Sequence, residues 1–312
     1  MSERKKENKH IPKIKLWDGT TVHASLDTLV MQDIKFKLLS LGFPSVEHRG
    51  FWSIEDLHNG KAAFVTHTRR LGSINPFTIS MRDAEKFMID MHKGNLPSNL
   101  AMMVAAHGHT TRGSLDDDPF RILNAPCWTG FIEYPKALAN FAHYQTDIGA
   151  TFIIVTKEGR IRTQKWLYKP FVYNHNECKI YESTDEDAKK YVEEGNGKVN
   201  IEDYFKLMCK DAIFMVAVIA DFHVGEVEAI APETFDYNGE TWDVHQTEAN
   251  KRILHYWKNF VQVCKILKPD EVWIVGDVLA GTQIFEKTRR TLTNNLEEQK
   301  AMFVELMKEF LK

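Results

Sequence analysis

The amino-acid sequence predicts an α/β protein, because strand-like apolar runs alternate with amphipathic helical runs along the chain. Leu100–Ala106, Ile213–Ala220 and Val272–Val275 are short and strongly apolar, as buried strands are. Residues 247–267 carry an apolar stripe at helical spacing between the last two of these runs. With 312 residues and 43% hydrophobic content, the chain can bury a substantial core as one large domain or two small ones.

The first hundred residues contain four further predicted elements, and each ends at residues that discourage its continuation. In order, they are a strand Ile11–Trp17 ended by Asp18-Gly19, a helix Met31–Leu41 ended by Gly42 and Pro44, a strand Lys61–Thr66 that ends at His67, and an amphipathic helix Met81–Met91 that stops before Gly94 and Pro97.

The second half begins with a predicted hairpin and a polar linker, and it ends with two helices around a strand. In order, these are Gly149–Thr156 and Arg160–Tyr168 joined across Lys157-Glu158-Gly159, an acidic linker from about Asn174 to Lys198 with a short helix inside, a helix Thr247–Leu267 ended by Lys268-Pro269, a strand Glu271–Val275, and a helix from about Leu296 opened by Asn294 or Asn295 with Glu297 or Glu298 three residues on.

Composition and charge narrow the class of protein. The net charge of −3 and the pI near 6.5 argue against nucleic-acid binding through the overall charge of the protein. They do not exclude a local basic patch. The four cysteines form no CxxC pair, which favours a reduced, intracellular protein. Neither a secretory signal nor a membrane-spanning run is found, so we expect a cytoplasmic enzyme or binding protein.

Imidazoles and carboxylates follow four of the predicted strands. They are His67, the pair in His107-Gly108-His109, the pair in Asp221-Phe222-His223, and the carboxylate of Gly276-Asp277. Each feature alone is weak, because a strand-end Asp is often a helix cap and a lone His-x-His is more often structural. Together, at the ends of parallel strands, they indicate a two-metal hydrolytic site. Mixed nitrogen and oxygen ligands suit Mn, Fe, Zn or Ni better than Mg or Ca.

The motifs resemble those of the calcineurin-like metallophosphoesterases, but in rotated order. That family's motifs run Asp-x-His, Gly-Asp-x-x-Asp, Gly-Asn-His, a strand-end His and Gly-His-x-His. Here the first two are Asp221-Phe222-His223 and Gly276-Asp277, whereas His67 and His107-Gly108-His109 come earlier in the chain. The middle motif resembles Gly19-Thr20-Thr21-Val22-His23, in the Gly-Thr-x-x-His form of some phage-like and archaeal branches.

The resemblance implies a circularly permuted, four-layer α/β/β/α sandwich of two mixed sheets. We expect a single domain over residues 11–312, after a charged tail of residues 1–10. In this domain, residues 11–173 carry the family's C-terminal half, residues 174–210 join the halves, and residues 211–312 carry the N-terminal half.

The resemblance also implies a role for each site residue. Two divalent transition-metal ions are expected, with manganese favoured over iron, zinc or nickel, and a hydroxide between them would attack phosphorus. One metal would take Asp221, His223, His109 and Asp277; the second would share Asp277 and take His67 and His107; His23 would protonate the leaving group. Thr20 stands where the family has the Asn ligand of the second metal. Arg69 and Arg112, after His67 and the His-x-His, are candidate phosphate contacts, and a solvated loop is an equally good interpretation of both.

The resemblance leaves more than one function open. The leading prediction is hydrolysis of a phosphomonoester or phosphodiester, with a nucleotide or nucleic acid preferred by analogy only. The Asn-to-Thr change at Thr20, and Ala280 in place of the second Asp, support a weakened or inactive binding or structural protein as the alternative. A single-metal hydrolase for another substrate is a third possibility. The sequence predicts no oligomeric state.

Overall fold

The computed structural model of the protein describes residues 10–19, 24–67, 85–106, 120–130, 146–168, 171–174, 179–182, 209–281 and 291–312. Within these ranges the chain is a mixed α/β structure with two multi-strand mixed sheets and four helices. The predicted α/β class is therefore confirmed.

The larger sheet joins strands from opposite ends of the chain. β1 (Lys13–Leu16) lies between β2 (Val46–His48) and β14 (Glu271–Val275), and β14 lies beside β11 (Ala212–Ala220). All three of these pairings are parallel, so the four strands end at the same edge of the sheet. Residues that follow β1, β11 and β14 are thus brought together by the sheet.

The predicted hairpin extends this sheet on the other side of β11. β7 (Gly149–Thr156) pairs antiparallel with β11, and β8 (Ile161–Leu167) pairs antiparallel with β7. The two arms match the predicted runs closely, and both contain β-branched and aromatic residues, which favour strands.

The smaller sheet has four strands in chain order. β3 (Trp52–Asp56) is antiparallel to β4 (Ala62–Thr66), and β4 is followed by parallel β5 (Leu100–Ala105) and β6 (Arg121–Asn124). The sequence predicted β4 and β5, which are apolar. It did not predict β2, β3 and β6, which are short and contain charged or polar residues.

The buried residues of the central strands alternate between two cores. In β14, Val272 and Ile274 contribute to a core that also contains residues of the helices, whereas Trp273 and Val275 face the opposite way. That second core includes Val65 of β4, so it lies between the two sheets. The alternation explains why Val272–Val275 of β14 and most of β11 are apolar at consecutive positions, since both of their faces are covered.

Helix α1 (Ala24–Ser40) begins seven residues before the predicted start at Met31. The buried residues Met31, Ile34 and Leu38 form the stripe that the sequence pattern detects, and the first turns precede it. Of the predicted helix Met81–Met91, residues 85–92 are described and helical (α2), and 81–84 lie outside the described residues.

The last two helices agree with the predictions. α3 (Glu248–Leu267) is capped by Thr247, whose hydroxyl accepts a hydrogen bond from the Asn250 amide. α4 (Leu296–Met307) is capped by Asn295, which accepts from the Glu297 amide, and a 3₁₀ turn (Lys308–Phe310) follows it.

Part of the predicted linker is a strand. β9 (Phe171–Asn174) pairs antiparallel with β10 (Lys179–Glu182), so the predicted linker contains a strand that the sequence did not indicate. The helix predicted inside the linker lies outside the described residues. A second small hairpin, β12 (Thr234–Tyr237) and β13 (Glu240–Asp243), leads toward α3.

Candidate metal centre

Three of the predicted ligands meet at one edge of the two sheets. The Nε2 atom of His67 lies 3.0 Å from Oδ1 of Asp221 and 3.8 Å from Oδ2 of Asp277. One donor atom from each of the three side chains lies within 4.8 Å of the others, so this group could hold a metal ion.

The register of the strands brings the two carboxylates together. Ala220 of β11 is paired with Val275 of β14, so Asp221 and Asp277 leave neighbouring parallel strands almost side by side. The Asp277 amide donates a hydrogen bond to Asp221 Oδ1 at 3.2 Å, and the His223 amide donates to the Asp277 carbonyl at 3.0 Å. His67 follows β4 of the other sheet, so each sheet contributes to the group.

Gly276 provides the space in which the three donors converge. Its φ of +103° lies in a region that favours glycine. A Cβ atom there would stand 2.5 Å from Asp221 Oδ1 and 2.7 Å from His67 Nε2. Gly19 has a similar relation to Asp277, because a Cβ at Gly19 would contact the Asp277 carboxylate. The centre therefore depends on two glycines as well as on its ligands.

Gly276→Ala is expected to weaken metal binding through this crowding. The matched control is Gly60→Ala, because Gly60 also has a positive φ (+77°) but no atom within 4 Å of the added Cβ. Gly60→Ala should lose about 1–2 kcal/mol of stability to backbone strain. Gly276→Ala should lose more, because its Cβ would also crowd His67 and Asp221. In manganese titrations followed by calorimetry, only Gly276→Ala should bind more weakly. Equal affinities for the two variants would contradict the role assigned to Gly276.

The Asp221-Phe222-His223 segment has an unusual backbone conformation. Asp221 and His223 both have a φ of +46°, which is uncommon for residues other than glycine. Phe222 between them is fully buried, and its ring centroid lies 5.3 Å from those of Trp257 and Phe303. The aromatic packing of Phe222 therefore holds both neighbours in a conformation that costs free energy, as at many functional sites.

The carboxylates of Asp221 and Asp277 favour a positively charged group in the candidate centre. Burial alone would lower the pKa of His67, but Asp221 and then Asp277 outweigh burial and raise the pKa to about 9. A hydrogen bond to the Gly19 backbone acts in the same direction. For the buried His223, burial also lowers the pKa, but Glu226, Asp277 and Asp221 outweigh burial and raise it. A divalent cation among these groups would compete with protons for the same favourable potential.

The donor set fits a transition metal. One imidazole nitrogen and two carboxylates are ligand types that Mn, Fe, Zn and Ni accept. His67 and Asp221 are buried, whereas the Asp277 side chain is 17% exposed. Asp277 is therefore the donor of the three that remains in contact with solvent.

The structure brings some of the predicted site residues together and leaves others undescribed. His67, Asp221 and Asp277 form the group. His223, the fourth predicted ligand that the structure describes, does not belong to this group; it is buried, with Nδ1 3.4 Å from Oε1 of Glu226. The remaining predicted site residues lie outside the described residues: Thr20, His23, Arg69, His107, His109 and Arg112.

Glu226 and the role of Gly276 were not predicted from the sequence. Glu226 lies three residues after the predicted ligand His223, in a loop without hydrophobic periodicity. Its closeness to His223 in the sequence is the one signal that could have identified it. Gly276 was recognised as part of a motif, but its close approach to His67 depends on how the two sheets pack.

No protein-family model, curated protein or solved structure matches this chain. None of the helices in the described part of the chain combines the length and the apolar character needed to cross a membrane.

Proposed function

We propose that the protein is a metal-dependent phosphoesterase related to the calcineurin-like metallophosphoesterases. The observation that supports this most is the meeting of His67, Asp221 and Asp277, which come from three distant parts of the chain. The resemblance assigned all three to metal binding. If these strand-end residues were unrelated, three residues from one family's motifs would not be expected to lie together.

The strand order supports the proposed permutation. β11, β14 and β1 are consecutive neighbours in the sheet and precede Asp-x-His, Gly-Asp and Gly-Thr-x-x-His respectively. In the family's motif order these three strands would follow one another along the chain. In this protein β1 comes first in the sequence instead, and it still lies beside β14.

The packing supports the proposed four-layer sandwich. Residues of α1, α3 and α4 share one core with the larger sheet, and the second core lies between the sheets. On the outer face of the smaller sheet, Phe87 and Met91 of α2 pack against a third core that includes Leu100 and Ile122. This sequence of helices, sheet, sheet and helix is the arrangement that the resemblance implies.

Different residues of the chain would bind the metal ions and donate a proton to the leaving group. Bound divalent cations supply Lewis acidity toward a phosphoryl group and lower the pKa of water. Asp221, Asp277 and His67 would hold them, together with His223, His107 and His109. His23 would donate a proton to the departing alkoxide oxygen, a step for which an imidazole is suited near neutral pH. Phosphodiesters and phosphomonoesters are both candidate substrates, and nucleotides or nucleic acid are among them.

A metal-binding protein without turnover is the second candidate function. Ala280 stands three residues after Asp277, where the family has a second Asp, and Thr20 replaces the usual Asn ligand. The change at Ala280 removes a carboxylate, and the change at Thr20 replaces an amide with a hydroxyl.

Metal removal and replacement distinguishes the two functions. After chelation, we expect no hydrolysis of nitrophenyl phosphate, bis(nitrophenyl) phosphate, cyclic nucleotides or DNA, and we expect added Mn²⁺ to restore hydrolysis of at least one. About two ions should bind per chain. Manganese binding without turnover of any of these substrates would favour the second function. Failure to bind Mn²⁺, Zn²⁺ or Ni²⁺ would contradict both.

A further inference from the structure

A buried carboxylate beside His223 has no role in the proposed mechanism. Glu226 is 2% exposed, and its Oε1 lies 3.4 Å from Nδ1 of His223. Burying a carboxylate is unfavourable unless a charged or hydrogen-bonding partner compensates for the lost hydration. The His223 ring is such a partner, and the contact connects Glu226 to a residue that the resemblance assigns to metal binding.

The backbone of Glu226 is held firmly. Its amide donates to the His223 carbonyl at 3.1 Å, and its carbonyl accepts from Nδ2 of Asn250 at 3.1 Å. Asn250 is fully buried and also takes part in the cap of α3 with Thr247. The N-terminus of a twenty-residue helix therefore fixes the position of Glu226 relative to His223.

We propose that Glu226 is a positioning residue that orients His223 and selects its tautomer; this inference rests on the proposed metal-dependent function. A ring that donates from Nδ1 to Glu226 presents Nε2 as the atom that would bind a metal. Metal-ligating histidines commonly donate their other ring N–H to a carboxylate, which fixes the ring and makes it a better ligand. His67 also directs Nε2 toward the carboxylates of the centre.

The test compares Glu226→Leu with Glu226→Gln, because glutamine keeps an acceptor oxygen and leucine does not. Glu228→Gln is the matched control, since Glu228 is a second buried carboxylate of the same loop. Zinc affinity is measured by competition with a chelating dye. The His223 tautomer is read from long-range ¹H–¹⁵N NMR spectra of the metal-free protein, at a pH where the ring is neutral and no metal dictates which nitrogen carries the proton. His223→Gln is used to assign the signals.

We expect Glu226→Leu to weaken zinc binding about 10- to 100-fold and to lose the Nδ1–H tautomer of His223. Glu226→Gln should retain that tautomer and most of the affinity, and Glu228→Gln should resemble the parent. A parent-like tautomer and affinity in Glu226→Leu would overturn the inference while leaving the phosphoesterase proposal intact. Normal zinc binding without hydrolysis would affect only the phosphoesterase proposal. A parent that binds none of Mn²⁺, Zn²⁺ and Ni²⁺ would overturn both.

Discussion

Asp277→Asn is expected to lower manganese affinity by at least about a hundredfold and to remove metal-dependent hydrolysis. Even changes to residues that only support metal ligands commonly cost 10- to 100-fold in affinity or activity, so loss of a ligand charge should cost more. The amide matches the carboxylate in size, and the Asp277 backbone amide still donates to Asp221. The fold should therefore be retained, and the loss should be one of charge and ligand strength.

The measurement combines calorimetric titration with Mn²⁺ and the hydrolysis rate of bis(nitrophenyl) phosphate. Asp243→Asn is the matched control, because Asp243 is an exposed carboxylate on β13. It should bind and hydrolyse as the parent does, and both variants should unfold cooperatively. If Asp277→Asn kept the parent's affinity and rate, Asp277 would not be a ligand.

Lys15→Met is expected to cause the largest loss of stability, about 3–5 kcal/mol. Lys15 is 5% exposed, and its ammonium group lies 2.7 Å from Oε2 of Glu55 and 2.6 Å from Oε2 of Glu271. Both carboxylates are also buried. Removing the Lys15 ammonium would leave two buried carboxylates without the cation that they share. Breaking a buried ion pair by removing one partner is strongly destabilising.

This ion pair also connects the elements that form the metal centre. Glu271 begins β14, which leads to Asp277, and Glu55 lies on β3, which pairs with the strand before His67. Lys15 on β1 therefore links the two sheets. We expect a weaker metal affinity in Lys15→Met as a secondary effect of a looser packing between them.

Chemical denaturation of Lys15→Met and of Lys258→Met tests the prediction. Lys258 also pairs with a glutamate at 2.8 Å, but it is 43% exposed and Glu233 is 67% exposed. Exposed pairs contribute little, so the control should lose less than about 1 kcal/mol. Similar losses of stability in the two variants would contradict the claim that burial makes the Lys15 ion pairs important for stability.

The sequence predicted the elements whose physical signal is local. β11, β14, β7 and α3 have long apolar runs or a helical stripe, and they lie close to their predicted bounds. β2, β3 and β6 were missed because their few residues include charged side chains and owe their conformation to neighbouring strands. β10 was missed because the acidic residues around it indicate a linker.

The residues of the candidate centre could be predicted from the sequence, but the distances between them could not. His67, Asp221 and Asp277 follow apolar strands, which makes each of them visible in the sequence. Their distances depend on the register of β11 with β14 and on the packing of the two sheets. Neither can be read from local patterns, and the contact of Glu226 with His223 depends on the same tertiary packing.

Anomalous diffraction from crystals soaked in Mn²⁺, recorded above and below the manganese absorption edge, tests the central claim most directly. We predict an anomalous difference peak at roughly 2.0–2.3 Å from Nε2 of His67 and from carboxylate oxygens of Asp221 and Asp277. Manganese bound only elsewhere on the protein, with no peak among these three side chains, would contradict it.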